Sequence, residues 1–370
     1  MTTVAIGMSG GLDSAVAAHR LIHETDLDVF GFTMRIGELE AQHDRTCCSY
    51  EDLMDAKKMC DEYGIPHYTI DVEDVFKENV VNPFVDSYLK GQTPNPCVWC
   101  NKTVKFGYLV EKIRKLGGDR LAMGHYAKMQ RRNGSSEILR GEDVEKDQSY
   151  YMAFVNPDYL DYVWFPVGNM DKEDVRVYAE ENDILVADKQ ESQSICFVPD
   201  MDYKKFIRQQ TGKDPEPGPI VNIDDEPIGE HDGIVNYTIG QRRGLGISHH
   251  NPLYVLKIDP EENKIVAGER DRLMQQFFRT GPINWLADER THCEVQIRYN
   301  GDPLPCVIKD EEEGKTIELK SPVQAIAPGQ IAVFYDGDTL LGGSVIEEAP
   351  MPYEANPEME PRIRPRAAVT

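Results

Sequence analysis

The chain has 370 residues, of which 40% are hydrophobic and 28% charged. That composition suits two or three globular domains and excludes wholesale disorder. The formal charge of −24 argues against a nucleic-acid partner on average, not against a local basic surface.

Basic clusters occur at Lys112, Arg114 and Lys115, at Arg131 and Arg132, at Arg242 and Arg243, and at Arg270 and Arg272, each by itself a solvated face. No apolar run approaches the ~18 residues needed to cross a bilayer. The opening "MTTVAIGMSGG" has no basic, then apolar, leader pattern. The expectation is a cytoplasmic protein without a membrane partner. Its eight cysteines are then thiols, catalytic groups or metal ligands rather than structural disulfides.

In chain order, residues 2–8 read as a buried strand, 13–24 as a helix and 28–34 as a second strand. In "EDLMDAKKMCDEYG", Leu53, Ala56, Cys60 and Tyr63 share one helical face, with Ser49 as N-cap and Gly64 as C-cap. Residues 65–72 are a third strand. After the loop "TPNPCVWCNK", a helix capped by Asn101 runs to Leu116, and 120–127 is a fourth strand. Strands alternating with helices predict an α/β fold with a doubly wound parallel sheet, whose ligands bind at the carboxyl ends of the strands. The loops after Met8, Met34 and Gly124 then share one rim. Near residue 213 prolines cluster and helical periodicity stops. Short runs such as "PLYVLKI", "CEVQIRY" and "QIAVFY" follow, the pattern of small β-barrels. The expected division is a catalytic domain over 1–205, a central β-rich domain over 206–270, a small C-terminal β-barrel over 271–348 and a mobile tail over 349–370.

"SGGLDS", Ser9 to Ser14, lies between a strand and a helix. Gly10 and Gly11 let the backbone approach a phosphate, and the first helical N–H groups point at it. Ser9 and Ser14 add hydroxyls, and Asp13 can hold a metal ion or cap the helix. An isolated Gly-Gly is usually a tight turn, but the strand–loop–helix context favours a phosphate site. It is not a Walker A loop, because no Gly-Lys-Ser/Thr follows.

Cys97 and Cys100 lie in the quoted loop and Cys196 in "SQSICFV". With a helix starting at Asn101, Cys100 sits at its N-terminus with Lys102 and Lys105 in the first turn, a setting that lowers a thiol pKa. Cys100 is therefore the expected nucleophile. Cys60, Cys293 and Cys306 read as space-fillers. A structural zinc site normally needs four ligands, which these three cysteines do not supply. They match either a thiol pair with a spare or an iron–sulfur cluster with one open iron, and the residues alone admit both.

The hexapeptide resembles the pyrophosphate loop of the PP-loop ATP pyrophosphatases. With "CCSYEDLMDA", "TPNPCVWCNKTVKF", "GHYA", "KDQSYY", "SQSICFV", "YTIGQRRGLGI", "QIRY" and "APGQIAVFY", the chain resembles the tRNA-specific 2-thiouridylases, the MnmA (TrmU) family, from residue 3 to about 347. The resemblance implies adenylation of the C2 oxygen of a wobble uridine in tRNA with ATP and Mg2+, then replacement of that oxygen by sulfur. It implies ATP on Gly7, Met8, Ser9, Gly10, Gly11, Leu12, Asp13, Ser14, Met34 and Gly124. Cys196 would carry the sulfur as a persulfide and Cys100 would release it, leaving a disulfide. Asn95, Pro96 and Cys97 would sit at the target base. His125, Lys146, Asp147, Gln148, Arg298, Tyr299 and Gln330 would contact tRNA.

The sulfur would come from an upstream donor, a cysteine desulfurase or a sulfur carrier. Many family members carry Asp where this chain has Cys97, so a 4Fe–4S cluster on Cys97, Cys100 and Cys196 is the alternative route. Other PP-loop outcomes, such as amidation or lysidine formation, and a non-catalytic RNA-binding role are the rivals. Cys47 and Cys48 read as a structural pair. "GQRRGLG" reads as a turn shaping a basic surface.

Overall fold

The computed structural model describes residues 2–37, 50–184, 195–198 and 202–350. Cys47, Cys48, Ser49 and positions 351–370 lie outside the described residues. The chain opens with β1 (Thr3–Gly7), the helix Leu12–His23, β2 (Asp28–Arg35), the helix Tyr50–Glu62 and β3 (His67–Asp71). Consecutive helical segments follow at Glu73–Phe76, Lys77–Val81 and Asn82–Leu89, then at Pro96–Trp99, Cys100–Tyr108 and Leu109–Lys115. Next come β4 (Arg120–Ala122), the hairpin β5 (Ala127–Arg132) and β6 (Ser135–Arg140), β7 (Val163–Trp164), and the helices Lys172–Glu181 and Tyr203–Thr211.

The first sheet has five parallel strands in the order β3-β2-β1-β4-β7. Its two faces are legible in β1. Val4 and Ile6 pack with Ala15, Leu21, Ala56, Met59 and Val175 of the helices on one side. Ala5 packs with Phe84, Val104 and Phe106 on the other. Period-2 alternation thus feeds two helical layers, and the doubly wound sheet expected from the sequence is present. Strand order reverses between β1 and β4, so the loop after β1 opens at the switch point where such sheets bind ligands.

Cys60 is fully buried, and a Cβ on Gly31 would lie 2.4 Å from its Sγ. Burial, aided by Asp61, pushes its thiol up to about 12, as suits a space-filler. Gly64 takes φ +67°, and Ile65 N–H bonds back to the Cys60 carbonyl at 3.0 Å, which closes the helix as the sequence predicts.

The fourth strand is shorter than the sequence reading. β4 ends at Ala122, the chain turns through Met123–Tyr126, and the hairpin leaves this sheet. The apolar continuity of "RLAMGHYA" conceals that turn. After β8 (Gly218–Val221), β9 (Pro227–His231), β10 (Tyr254–Asp259) and β11 (Lys264–Gly268) form a small sheet, the chain builds β12 (Met274–Thr280), β13 (Asn284–Trp285), β14 (His292–Gln296), β15 (Leu304–Asp310), β16 (Lys315–Gln324), β17 (Ile331–Asp336) and β18 (Thr339–Glu348). The path β12-β16-β15-β14-β17-β18 returns to β12, so the barrel is closed and its edges are removed. β6 pairs with β18 through Leu139 and Thr339 and so ties the hairpin to the barrel. Cys293 and Cys306 are cross-strand neighbours with sulfurs 3.7 Å apart. No helix among the described residues is long and apolar enough to cross a membrane.

The seam between sheet and barrel is polar and closed. Asp147 accepts from Arg140 Nη1 at 3.0 Å, the main-chain N–H groups of Gly141 and Ser149 at 2.9 and 3.0 Å, and Ser149 Oγ at 2.9 Å. The Arg140 guanidinium lies 3.6 Å from the centre of the Tyr335 ring, and Tyr150 donates to the Ile331 carbonyl at 2.8 Å. Removing the carboxylate strands a largely buried guanidinium and two N–H groups. Asp147→Ala is expected to lower stability by about 3–5 kcal/mol, read as a shifted urea midpoint at unchanged slope.

Candidate active site

The phosphate loop is shaped by its glycines. Gly10 takes φ +70°, and a Cβ there would stand 2.4 Å from the Asp52 carbonyl oxygen. Gly11 caps the helix Leu12–His23 without a side-chain bond, so the helix N-terminus faces the rim with its N–H groups directed at an incoming anion. Ser14 Oγ accepts from Ser9 N–H at 3.1 Å, meets Ser9 Oγ at 3.1 Å and donates to the Gly11 carbonyl at 2.9 Å. These bonds fix the loop's curvature. Met8 is anchored by Phe32 O and Thr33 Oγ1, and Leu12 is buried in the core. Gly7 lies against Met123, and Met34 is half-buried on β2. Gly124 touches the loop itself: a Cβ there would lie 2.9 Å from Asp13 C and from Ser14 N.

Asp13 Oδ1 accepts from Tyr126 Oη at 2.7 Å and from Lys172 Nζ at 2.6 Å. Lys172 is only 7% exposed and lies far along the chain, so the sequence reading missed it. One signal was available. A lysine as first residue of the helix Lys172–Glu181 opposes the helix dipole and needs a partner elsewhere.

The cysteine loop corrects one expectation. The helix begins at Pro96, not after Asn101. Asn95 is the N-cap, its Oδ1 accepting from Val98 N–H at 3.4 Å, and Pro96 fills the first position, where its missing N–H is harmless. Asn101 is inside the helix, 2% exposed, and its Nδ2 donates to the Tyr151 carbonyl at 3.1 Å. Cys97 therefore occupies the first turn and is exposed, while Cys100 lies one turn later, is buried, and opens the π-helical stretch Cys100–Tyr108. The helix-terminus argument made for Cys100 applies to Cys97 instead.

Cys97 faces an aromatic pair. Tyr151 and Tyr299 stack with centroids 4.4 Å apart, and both hydroxyls are pushed up, chiefly by burial and also by the thiol charge of Cys97. Cys196 is half-buried and packs against the hydrophobic core that contains Cys100. Its neighbour Phe197 makes edge contacts with Phe76 and Phe84. Among the described residues, the trio with ligand atoms within 4.8 Å of one another is His249, His250 and Glu269.

Lys105, on the cysteine helix, meets His125 Nε2 at 3.2 Å, one residue from Gly124. Burial, and then the Lys105 charge, hold His125 well below its ordinary value of 6.5, so it is neutral in the fold. An ammonium can only donate, so Nε2 accepts and the proton sits on Nδ1, which is buried without a partner. The unfolded chain takes up a proton near pH 6.5 that the folded one refuses. Stability therefore rises with pH up to that point and is lost below it. His67 is shifted the same way by burial. His125→Gln is expected to flatten the fall of melting temperature between about pH 6.5 and 5, with His67 retaining part of the slope.

The expected RNA contacts gather around this rim unevenly. Arg298 is exposed and donates to the Gln324 and Ala325 carbonyls, both at 2.6 Å. Lys146 and Gln148 are half-buried, and Gln148 Oε1 accepts from Tyr126 N–H at 3.0 Å. Gln330 donates to the Thr93 carbonyl at 2.8 Å, and Thr93 N–H donates to Pro328 O at 3.0 Å, so the barrel clamps the cysteine loop. The Asp147 carboxylate is turned inward at the seam described above, where it braces the segment.

Three family models match in order: a tRNA methyl transferase HUP domain over residues 2–200, a tRNA methyl transferase PRC-barrel domain over 204–269, and an aminomethyltransferase beta-barrel domain over 275–346. The chain is 43% identical over 357 residues to a tRNA-specific 2-thiouridylase MnmA 1 of Caldanaerobacter subterraneus subsp. tengcongensis, covering 93% of this chain and 98% of the relative. It is 42% identical to a tRNA-specific 2-thiouridylase MnmA of Rickettsia felis, covering 93% and 96%. A solved structure of the U34-tRNA thiolase NcsA from Methanococcus maripaludis with its 4Fe–4S cluster is similar at TM-score 0.35 and 19% identity, over 56% of this chain and 66% of that one, a likeness too loose to carry an argument. With three family models matched in order and relatives 42% and 43% identical along nearly the whole length, the chain belongs to the tRNA-specific 2-thiouridylase MnmA family.

Proposed function

We propose that this protein 2-thiolates the wobble uridine of tRNA at the expense of ATP. One observation carries the reading. Gly124 lies against Asp13 and Ser14 of the phosphate loop, while the adjacent His125 meets Lys105 of the cysteine helix. The phosphate loop and the helix that carries Cys97 and Cys100 are thus bridged by adjacent residues. The C2 oxygen of uridine attacks the α-phosphorus of ATP, and pyrophosphate leaves. Gly7–Ser14, Met34 and Gly124 bind ATP, and Asp13 would hold Mg2+, which would neutralise the phosphate charge. A persulfide on Cys196 is then attacked at its inner sulfur by the Cys100 thiolate. A Cys100–Cys196 disulfide forms, and hydrosulfide adds to C2 as AMP departs. An external thiol reductant returns the two cysteines.

Asn95, Pro96 and Cys97 flank the target base, with Tyr151 and Tyr299 as a stacking platform. His125, Lys146, Gln148, Arg298, Tyr299 and Gln330 meet the RNA, and Asp147 supports them from below. Lys105, Lys146 and the exposed Arg298 supply local positive charge that the overall −24 conceals. Adenylation and sulfur transfer belong to residues 1–205, with 206–270 and 271–348 shaping the RNA surface. The tRNA substrate places the enzyme in the cytoplasm, fed by a cysteine desulfurase or a sulfur carrier. No step requires a 4Fe–4S cluster.

The test is iron-free protein incubated with tRNA, ATP, Mg2+ and a persulfide donor. 2-Thiouridine in the digested tRNA, with AMP release that depends on tRNA, is the expected result. Thiolation that appears only after iron and sulfide are supplied would assign the sulfur step to a cluster on Cys97, Cys100 and Cys196.

A further inference from the structure

We propose that Lys172 and Tyr126 are positioning residues that couple occupancy of the phosphate loop to the 142–148 segment, so that nucleotide and tRNA change each other's affinity. The inference rests on the reading that Lys146 and Gln148 of that segment meet tRNA. Its starting point is a single oxygen. Asp13 Oδ1 holds both the Lys172 ammonium, at 2.6 Å, and the Tyr126 hydroxyl, at 2.7 Å.

Each donor continues to one end of the same segment. The main-chain N–H of Lys172 donates to Asp143 Oδ2 at 3.0 Å. Asp143 Oδ1 in turn accepts from the N–H groups of Glu145 at 3.0 Å and Lys146 at 3.1 Å, which folds the turn that presents Lys146. At the other end, Tyr126 N–H donates to Gln148 Oε1 at 3.0 Å, and the Tyr126 carbonyl accepts from Gln148 N–H at 2.8 Å. One carboxylate of the phosphate loop therefore latches both flanks of a loop reaching toward the RNA.

The latch and the metal draw on the same carboxylate. Mg2+ arriving with nucleotide phosphates takes carboxylate oxygens at ~2.0–2.1 Å. An ion held at either oxygen of Asp13 withdraws negative charge from the two donors on Oδ1 and sets a second cation beside the Lys172 ammonium. Lys172 is 7% exposed, so solvent screens that repulsion little. The nucleotide phosphates draw the ammonium the same way, and the pull on Lys172 reaches Asp143 through the first turn of its helix. Unlatching frees the segment to close on RNA, so nucleotide tightens tRNA binding. By linkage, tRNA tightens nucleotide binding by the same factor.

The experiment measures tRNA affinity of the full chain with and without α,β-methylene-ATP and Mg2+, an analogue that is not cleaved between those phosphates. Wild type is expected to tighten about fivefold or more. In Lys172→Met and in Tyr126→Phe the factor should fall below about twofold, while Lys172→Arg restores part of it. Tyr126→Phe removes only a hydroxyl, so it carries the test even if Lys172→Met fails to fold. Undiminished coupling in both variants, or none in wild type, overturns the proposal. Lys146→Ala separates the premise from the inference. If it binds tRNA as wild type does, the segment is not an RNA contact and the reading fails. If it weakens binding while the variants keep full coupling, the linkage alone fails.

Discussion

Replacing Cys196 by serine is expected to abolish 2-thiouridine formation, with a fall of roughly 10³-fold or more, while tRNA-dependent AMP release stays within a few-fold of wild type. A hydroxyl cannot carry a sulfane sulfur that a thiolate can later detach, so the chemistry has no serine equivalent. In the proposed reaction adenylation falls to a different group of residues, around Ser9–Ser14, and needs no thiol. Cys100→Ser should block thiolation at a later point. The persulfide still loads on Cys196, visible as one added sulfur by mass spectrometry, but is not released. Cys97→Ser is the informative third arm, because the helix starts at Pro96 and Cys97 is the thiol in its first turn. If Cys97→Ser accumulates the loaded persulfide and Cys100→Ser does not, the two cysteines exchange roles. If AMP release disappears with thiolation in Cys196→Ser, the separation into two half-reactions is wrong.

The sequence was most informative where a local rule and the tertiary structure agree. The β1–loop–helix turn was legible because Gly10 and Gly11 are demanded by backbone approach, and the sheet because Val4, Ala5 and Ile6 are buried on alternate faces. It misled where two residues could serve the same role. Asn95 and Asn101 are both capable caps. Pro96 decides between them, since proline suits the first helical position and Asn101 is consumed by a buried bond to Tyr151. It was silent where a partner lies far along the chain. Neither the Asp13–Lys172 contact nor the Tyr151–Tyr299 stack leaves a periodic trace. The four donors that turn the Asp147 carboxylate inward leave no periodic trace either, since Arg140 comes from a strand and Ser149 from the turn beyond it.

Gly124→Ala is expected to cut tRNA-dependent AMP release about 10²-fold, with stability falling by only about 1–3 kcal/mol. The added methyl would sit 2.9 Å from Asp13 C and Ser14 N and 3.0 Å from the Asp13 carbonyl. These are main-chain atoms of the phosphate loop, so no side-chain rotation relieves the clash. Either the loop retreats toward β2 or the turn after β4 moves away. In both cases the N–H groups of the first helical turn shift relative to the position of the phosphates. In-line attack on phosphorus depends on that alignment more than on affinity. The loss should therefore fall on kcat more than on KM for ATP. The same displacement separates His125 from its place beside Lys105, so persulfide loading on Cys196 should be retained while transfer fails. A variant with normal AMP release and a normal melting temperature would show that the loop tolerates the approach. Gly124 would then lose its role as the joint between the two chemistries.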